Sequence, residues 1–219
     1  MTHVIKDSDK MLDMLVETAS KSVRVIIRHF AVYLNTKTKG RISPNLVTTL
    51  SVAGHVPAAF FIMTDQLLVA GIIFVFFGLF DVLDGELARL QKSAGPKGMV
   101  YDATSDRIKE VLIFGATTYY ISQSSSPEWS FIAAIALGAA LTVSYAKAKA
   151  EVSLTIKKRL NDHHKINRHF SEGVASFEIR MALMALGMLS GNLLLATSIV
   201  AALSTFAMFE RLFFYLKRI

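Results

Sequence analysis

The chain of 219 residues has no cysteine and few charged residues, and both shortages narrow its class. Without cysteine there are no disulfide bonds, no thiolate ligands for zinc or iron–sulfur clusters, and no thiol nucleophile. Charged residues make up 19% of the chain, whereas 53% of the residues are hydrophobic and the mean hydropathy is +0.44. A soluble domain usually carries roughly 25% charged residues. The question is therefore whether the apolar excess forms one core or runs of bilayer length.

Six apolar runs have roughly the 17–25 residues that a helix needs to cross the hydrocarbon layer of a membrane. Short polar turns separate several of these runs. The pattern predicts an all-α, polytopic membrane protein with six transmembrane helices. The predicted spans are Leu46–Met63, Leu67–Leu87, Met99–Ile121, Trp129–Ala146, Val174–Leu189 and Leu193–Phe214.

Lysine and arginine are segregated along these runs. All 24 lie before the first span, around the second connection, around the fourth connection or at the C-terminal end, and the odd-numbered connections have none. Because positive residues stay on the cytoplasmic side, we expect both termini in the cytoplasm. Basic residues at that face meet anionic headgroups, so the net charge of +7 does not indicate a nucleic-acid partner.

Apolar residues also recur at helical spacing over residues 11–37, with charged residues between them. This pattern is typical of an amphipathic helix in the membrane interface, although an ordinary helix packed on the bundle would share it. We therefore divide the chain into a cytoplasmic N-terminus with this juxtamembrane helix, residues 1–42, and a six-helix membrane domain, residues 43–219.

Four aspartates stand at the ends of predicted spans, where carboxylates are costly. Asp81 and Asp84 are three residues apart, and Asp102 and Asp106 are four apart, so each pair shares a helix face. An ionised aspartate inside a span costs about 2.5–3.5 kcal/mol. Two divalent cations with oxygen ligands would compensate four carboxylates, and paired metals suit displacement at phosphorus. Helix-end salt bridges with neighbouring arginines would explain one aspartate more readily than four.

The residues around these aspartates resemble the motif of the CDP-alcohol phosphotransferase family at eight fixed positions. The motif reads Asp81-x2-Asp84-Gly85-x2-Ala88-Arg89-x8-Gly98-x3-Asp102-x3-Asp106. The segment Pro44-Asn45-x-x-Thr48 is similar to the opening of the family's first span. Six spans with cytoplasmic ends also agree with the family.

The resemblance implies a reaction in which a CDP-linked donor, usually CDP-diacylglycerol, gives its phosphatidyl group to an alcohol and releases CMP. It implies that Asp81, Asp84 and Asp102 hold a metal ion at the donor diphosphate. Asp106 would help to bind a second ion and act as general base, so two Mg²⁺ or Mn²⁺ ions are expected. The donor pocket would comprise Asn45, Thr48, Asp84, Gly85, Ala88 and Arg89. Small residues at Gly85 and Ala88 would equally suit plain helix–helix packing.

The acceptor is indicated by three further similarities to phosphatidylinositol-phosphate synthases of the same family. These lie in the stretch from Asp102 to Arg107, in the stretch from Ser144 to Glu151, and at Arg180. Lys147, Lys149 and Arg180 would bind a phosphorylated acceptor, with inositol phosphate as the first choice. Glycerol 3-phosphate and unphosphorylated inositol are the alternatives, and the two lysines could instead snorkel to headgroups.

Two other classes of function compete with the enzyme. A cation transporter would use the aspartates as an ion pathway, but such carboxylates belong near mid-membrane and the glycine positions would be unexplained. A catalytically inactive scaffold is not supported, since all four aspartates are present. The resemblance further implies a homodimer in the plasma membrane, with the active site facing the cytoplasm.

Overall fold

The computed structural model describes residues 24–156 and 176–218, and these residues form helices and turns without any strand. The all-α prediction is therefore confirmed for this part of the chain. A short 3₁₀ turn, Pro127–Trp129, precedes the fifth helix. The helices are α1 (residues 24–37), α2 (Pro44–Met63), α3 (Leu67–Leu90), α4 (Pro96–Ser122), α5 (Phe131–Ile156), α6 (Phe177–Leu189) and α7 (Leu193–Arg218).

Four stretches of the described helices are long and apolar enough to cross a membrane by length and composition. They are Pro44–Met63, Leu67–Leu90, Pro127–Ala150 and Leu193–Phe213. The third and fifth predicted spans are not among them. Helix α4 carries several charged side chains in its first half, and α6 has only 13 residues. The count of six spans and the cytoplasmic termini thus stay predictions.

The chain divides into two compact units. The first unit is Met1–Ser51 with Phe76–Ala103, and the second is Val52–Val75 with Thr104–Ile219. Helices α2, α3 and α4 each contribute residues to both. Every interaction described below lies within a single unit.

In the first unit, α1 packs one apolar face against α2 and α3. Its buried Ala31 belongs to a cluster with Val47, Leu83 and Leu87, and residues one turn to either side of it also touch this cluster. The opposite face leaves Ile26, Phe30 and Tyr33 exposed. Residues 24–37 of the predicted N-terminal helix are therefore helical and two-faced, while its residues 11–23 lie outside the described ranges.

The second unit has the larger core, in which methionines and small residues fill the space between helices. Met184 and Met188 of α6 are fully buried together with Ile113 and Phe114 of α4. Helices α6 and α7 approach closely at Gly187, where an added Cβ would collide with the Cβ of Ala196. Small residues at a helix contact are typical of membrane bundles, because they let two backbones approach.

Helices α1, α2, α3 and α6 end in the same type of turn. In α2 the amide of Gln66 donates to the carbonyl of Phe61 at 2.9 Å, and the amide of Asp65 donates to that of Ile62 at 3.1 Å, which is a Schellman motif. In three of the four turns a residue other than glycine adopts the left-handed backbone conformation, which glycine adopts most readily. The left-handed residues are Lys39, Asp65, Lys92 and Gly191, with φ of 52°, 58°, 51° and 71°.

Candidate functional site

A cleft of about 430 Å³ lies in the first unit and collects most of the motif residues. Its walls come from the start of α2, the last turns of α3 and the connection into α4. The connection between α3 and α4 lies at the cleft, so that Asp84 of α3 and Asp102 of α4 both line it. The motif residues that line the cleft are Pro44, Asn45, Thr48, Asp84, Gly85, Ala88, Arg89, Gly98 and Asp102.

Thr48 and Asp84 form the buried base of this cleft. The Thr48 hydroxyl donates to Oδ2 of Asp84 at 2.5 Å, and both side chains are buried. A carboxylate that accepts a hydrogen bond in a buried position loses rotational freedom and gains charge compensation. Thr48 therefore orients Asp84, which is a more specific role than lining a pocket.

One edge of the Arg89 guanidinium group is held by an ion pair. Its Nη2 lies 2.6 Å from Oε1 of the buried Glu86, yet the Arg89 side chain remains 57% exposed. An arginine held by a carboxylate but still accessible is suited to a diphosphate, because guanidinium groups bind phosphate oxygens with matched geometry.

Gln91 was not identified from the sequence but braces the connection between α3 and α4. Its Nε2 donates to Oδ1 of Asn35 at 3.0 Å and to the carbonyl of Ile42 at 2.8 Å. On α4, Tyr101 shares a hydrogen bond of 2.7 Å with the hydroxyl of Thr49. The role of Gln91 could not be read from the sequence, because Asn35 and Ile42 lie more than 45 positions away from it along the chain.

The chemistry of the carboxylates at this cleft suits a divalent cation as ligand donors. Asp84 and Asp102 both line the cleft, and Asp81 shares the α3 face with Asp84. Carboxylate oxygens are the preferred ligands of Mg²⁺ and Mn²⁺. Among the residues that the structure describes, no group of three His, Asp or Glu side chains is close enough to hold a metal ion. Mg²⁺ is usually bound through one or two carboxylates together with substrate phosphates and water.

The second unit contains a network of buried charges on the first half of α4. Glu110 is fully buried and binds two arginines: its Oε2 lies 2.8 Å from Nη1 of Arg107, and its Oε1 accepts from Arg180 at 2.9 Å and 2.5 Å. Arg107 also donates to the hydroxyl of Ser144 on α5. Glu110 therefore ties α4 to α6, and Arg107 ties α4 to α5.

Asp106 lies at the edge of this network and is partly exposed. Its Oδ1 is 2.8 Å from Nζ of Lys109, whereas its Oδ2 is 3.9 Å from Nη2 of Arg107, which is too long for a hydrogen bond. The Phe177 ring, at the start of α6, lies 5.3 Å from the Arg107 guanidinium and 5.2 Å from the Lys109 ammonium.

The three cations predicted to bind the acceptor occupy different environments. Arg180 is buried against Glu110, whereas Lys149 is exposed with its ammonium 5.6 Å from the Tyr145 ring, and Lys147 is partly exposed. Their role in binding an acceptor stays a prediction. Lys109 and Glu110 were missed, although a dense run of charges at the start of a predicted span is a signal that could have identified both.

Comparison with known proteins gives one family and a consistent set of relatives. Residues 41–215 match the family model of the CDP-alcohol phosphatidyltransferases. Phosphatidylinositol phosphate synthase of Corynebacterium glutamicum is 34% identical over 118 residues, which are 52% of this chain and 54% of that protein. The bifunctional IPC transferase and DIPP synthase of Rubrobacter xylanophilus is 32% identical over 155 residues, 68% of this chain and 32% of that protein. The match thus spans about half the length of the first relative and a third of the second.

The fold is also that of a solved structure. The crystal structure of Mycobacterium tuberculosis phosphatidylinositol phosphate synthase with CDP-DAG bound superposes with a TM-score of 0.70. The alignment covers 85% of this chain and 92% of that chain at 24% sequence identity. At this identity the superposition establishes a shared fold.

Proposed function

Because the chain belongs to the CDP-alcohol phosphatidyltransferase family, we propose that it transfers a phosphatidyl group from a CDP-diacylglycerol-type lipid to a hydroxyl of a small polar alcohol, releasing CMP. The observation that carries this proposal is the cleft in the first unit, which most of the motif residues line, although Asp81 and Asp106 are not among them. The proposed reaction is a step of phospholipid biosynthesis in a membrane. We assign the protein to the plasma membrane as a homodimer, with its active site facing the cytoplasm.

The donor occupies the cleft of the first unit in this proposal. Asn45, Gly85 and Ala88 line the cytidine side, and their small or amide side chains leave space and hydrogen-bonding groups for a base and ribose. Arg89 binds a phosphate oxygen of the diphosphate while Glu86 holds its guanidinium in place. Thr48 acts through Asp84, whose orientation it fixes.

Asp81, Asp84 and Asp102 hold the divalent cations, which we propose are two Mg²⁺ or Mn²⁺ ions, with Asp106 contributing to the second. When bound, such ions neutralise the diphosphate and make CMP a better leaving group. The protein's own contribution is the fixed Asp84 carboxylate and the exposed Asp102 carboxylate at one cleft.

Asp106 is the general base of the proposed reaction. It lies four residues beyond Asp102 on the same helix, one helical turn along the same face. Its carboxylate accepts the proton of the acceptor hydroxyl as that oxygen attacks the donor phosphorus, so an uncharged alcohol becomes a nucleophile without a free alkoxide.

The acceptor is a phosphorylated alcohol, and inositol phosphate is our first choice. In the second unit Arg107, Lys109 and Arg180 lie among the carboxylates of Asp106, Glu110 and Glu178, which balance their charge. Lys147 and Lys149 on α5 add two further cations. A cationic environment of this kind favours a dianionic acceptor over a neutral one. Similar proteins are named phosphatidylinositol phosphate synthases, which supports this choice. Glycerol 3-phosphate is the alternative acceptor.

The test is CMP release by the purified protein with CDP-diacylglycerol and Mg²⁺ across a panel of inositol 1-phosphate, glycerol 3-phosphate, free inositol and serine. We expect turnover with inositol 1-phosphate, its loss in EDTA and its recovery on adding Mg²⁺. Asp106→Asn should retain CDP-diacylglycerol binding and lose turnover. Silence across the panel in protein that binds no CDP-lipid would refute the proposed function, and turnover only with glycerol 3-phosphate would refute the choice of acceptor.

A further inference from the structure

Lys109 is a buried cation that neither the motif nor the proposed function assigns to any task. It lies in the third position after Asp106 on α4, and its side chain is fully buried in the second unit. A buried ammonium group is costly unless charged and polar partners surround it. The free-energy cost of burying the Lys109 ammonium must therefore be offset by specific interactions.

The interaction is with the carboxylate of Asp106. Nζ of Lys109 lies 2.8 Å from Oδ1 of Asp106, at the i,i+3 spacing that places both side chains on one helix face. Lys109 lies closer to this carboxylate than Arg107 does, because Arg107 stays 3.9 Å from the other oxygen. Of the two, the ammonium of Lys109 is thus the one within hydrogen-bond distance.

The position of the ammonium is itself fixed. Phe177 places its ring 5.2 Å from Nζ, within the range of a cation–π interaction, so the cation is bounded by the ring and by the carboxylate. The hydroxyl of Ser176 accepts from the amide of Ile179 and so caps α6 beside Phe177, which holds the ring at the start of that helix. Lys109 is therefore a rigid contact rather than a long side chain with many rotamers.

We propose that Lys109 is a positioning residue, which fixes one oxygen of Asp106 and so sets the direction in which the other oxygen meets the acceptor hydroxyl. This rests on the proposed function, in which Asp106 is the base. Proton transfer requires the base to lie within hydrogen-bond reach of the hydroxyl in the correct orientation. Without Lys109 the Asp106 carboxylate would rotate and spend most of its time in other orientations. Loss of Lys109 should therefore lower kcat without weakening the binding of the donor.

The test compares Lys109→Met, which keeps the length and removes the charge, with Lys109→Arg, which restores a cation. Rates are measured with CDP-diacylglycerol and inositol 1-phosphate, or with the panel acceptor that the wild type uses. We expect Lys109→Met to lower kcat about 10–100-fold, as for other groups that orient a functional side chain, with the KM for CDP-diacylglycerol within about twofold. Lys109→Arg should recover a substantial part of kcat. Lys37→Met, at an exposed lysine of α1, is the matched control and should behave as wild type.

A kcat for Lys109→Met within about twofold of wild type would overturn the inference while leaving the proposed function intact. Equal losses in the Met and Arg variants, together with lowered unfolding temperatures in both, would assign Lys109 to folding alone and also overturn it. Should Lys109→Met fail to fold, Lys109→Gln takes its place with the same expected loss of kcat. A wild type that is inactive with every acceptor and binds no CDP-lipid would instead be a failure of the proposed function.

Discussion

Replacing Thr48 by valine should destabilise the protein by removing a buried hydroxyl donor while keeping nearly the same shape. The Thr48 hydroxyl donates to Oδ2 of Asp84 at 2.5 Å, and both groups are buried in the first unit. Valine puts a methyl group where the hydroxyl was, so a buried carboxylate loses a donor and the packing changes little. The hydroxyl also lies 3.2 Å from the carbonyl oxygen of Pro44, one turn back on α2, so valine removes this weaker contact together with the charge-assisted one.

The expected magnitude follows from the charge of the acceptor. A hydrogen bond to an ionised group contributes about 1.5–3 kcal/mol, roughly twice a neutral one. Thr48→Val should lower the free energy of unfolding by that amount, which is about a 10–150-fold change in the unfolding equilibrium constant. Thr48→Ser keeps the hydroxyl and loses one methyl group, so it should cost only about 0.8 kcal/mol.

The assay is unfolding of the purified protein by SDS in mixed micelles, followed by circular dichroism because the described chain is helical. In the same preparations, the Mg²⁺ concentration that half-activates CMP release should rise about 10–100-fold for Thr48→Val, since a less oriented Asp84 is a poorer ligand. Equal stabilities of the valine and serine variants would refute the reasoning. So would an unchanged Mg²⁺ requirement accompanied by the expected loss of stability, because Thr48 would then support folding without orienting a ligand.

Three further predictions concern the second unit. Glu110→Gln should cost about 3–5 kcal/mol in the same SDS titration, because the buried guanidinium of Arg180 and the partly buried one of Arg107 lose their carboxylate, and a loss below about 1 kcal/mol would show that water compensates them. Gly187→Ala should cost about 1–3 kcal/mol through overlap with Ala196, whereas Gly138→Ala, where nothing lies within 4 Å, should be neutral or stabilising; equal effects would contradict the close approach. Lys149→Ala should raise the KM of a phosphorylated acceptor more than that of the donor, and an unchanged acceptor KM would remove Lys149 from the acceptor site.

The sequence predicted most helices from their apolar runs, whereas the candidate cleft residues came from the resemblance to the family motif. Apolar runs of bilayer length gave α2, α3, α5 and α7, and the fixed intervals of the motif gave residues that do line one cleft. Gly85 and Ala88, one turn apart on α3, also line that cleft, and their role in binding the donor stays a prediction. The spans need only the helical repeat and the length of a bilayer crossing, whereas the cleft residues needed the family motif.

Contacts between distant segments could not be predicted in the same way. The Thr48–Asp84 hydrogen bond joins residues 36 positions apart, and the Arg180–Glu110 pair joins residues 70 positions apart. A single sequence shows that these residues are polar but not which of them meet, because partner choice depends on how the helices pack. Arg180 illustrates the difference: its charge was assigned to a ligand, whereas its observed partner is a buried carboxylate.

The Schellman turns have a consequence for how the chain enters a membrane. A side chain in the left-handed region costs about 1–2 kcal/mol relative to ordinary backbone, and glycine would relieve most of it. The topology predicted from the positive-inside rule puts Lys39 and Lys92 in cytoplasmic turns, and it puts Asp65 and Gly191 in turns of the opposite face. In that topology these lysines would exchange folding free energy for part of the orientation signal during insertion. Replacing both with glycine should yield a more heat-resistant protein with a weaker orientation signal.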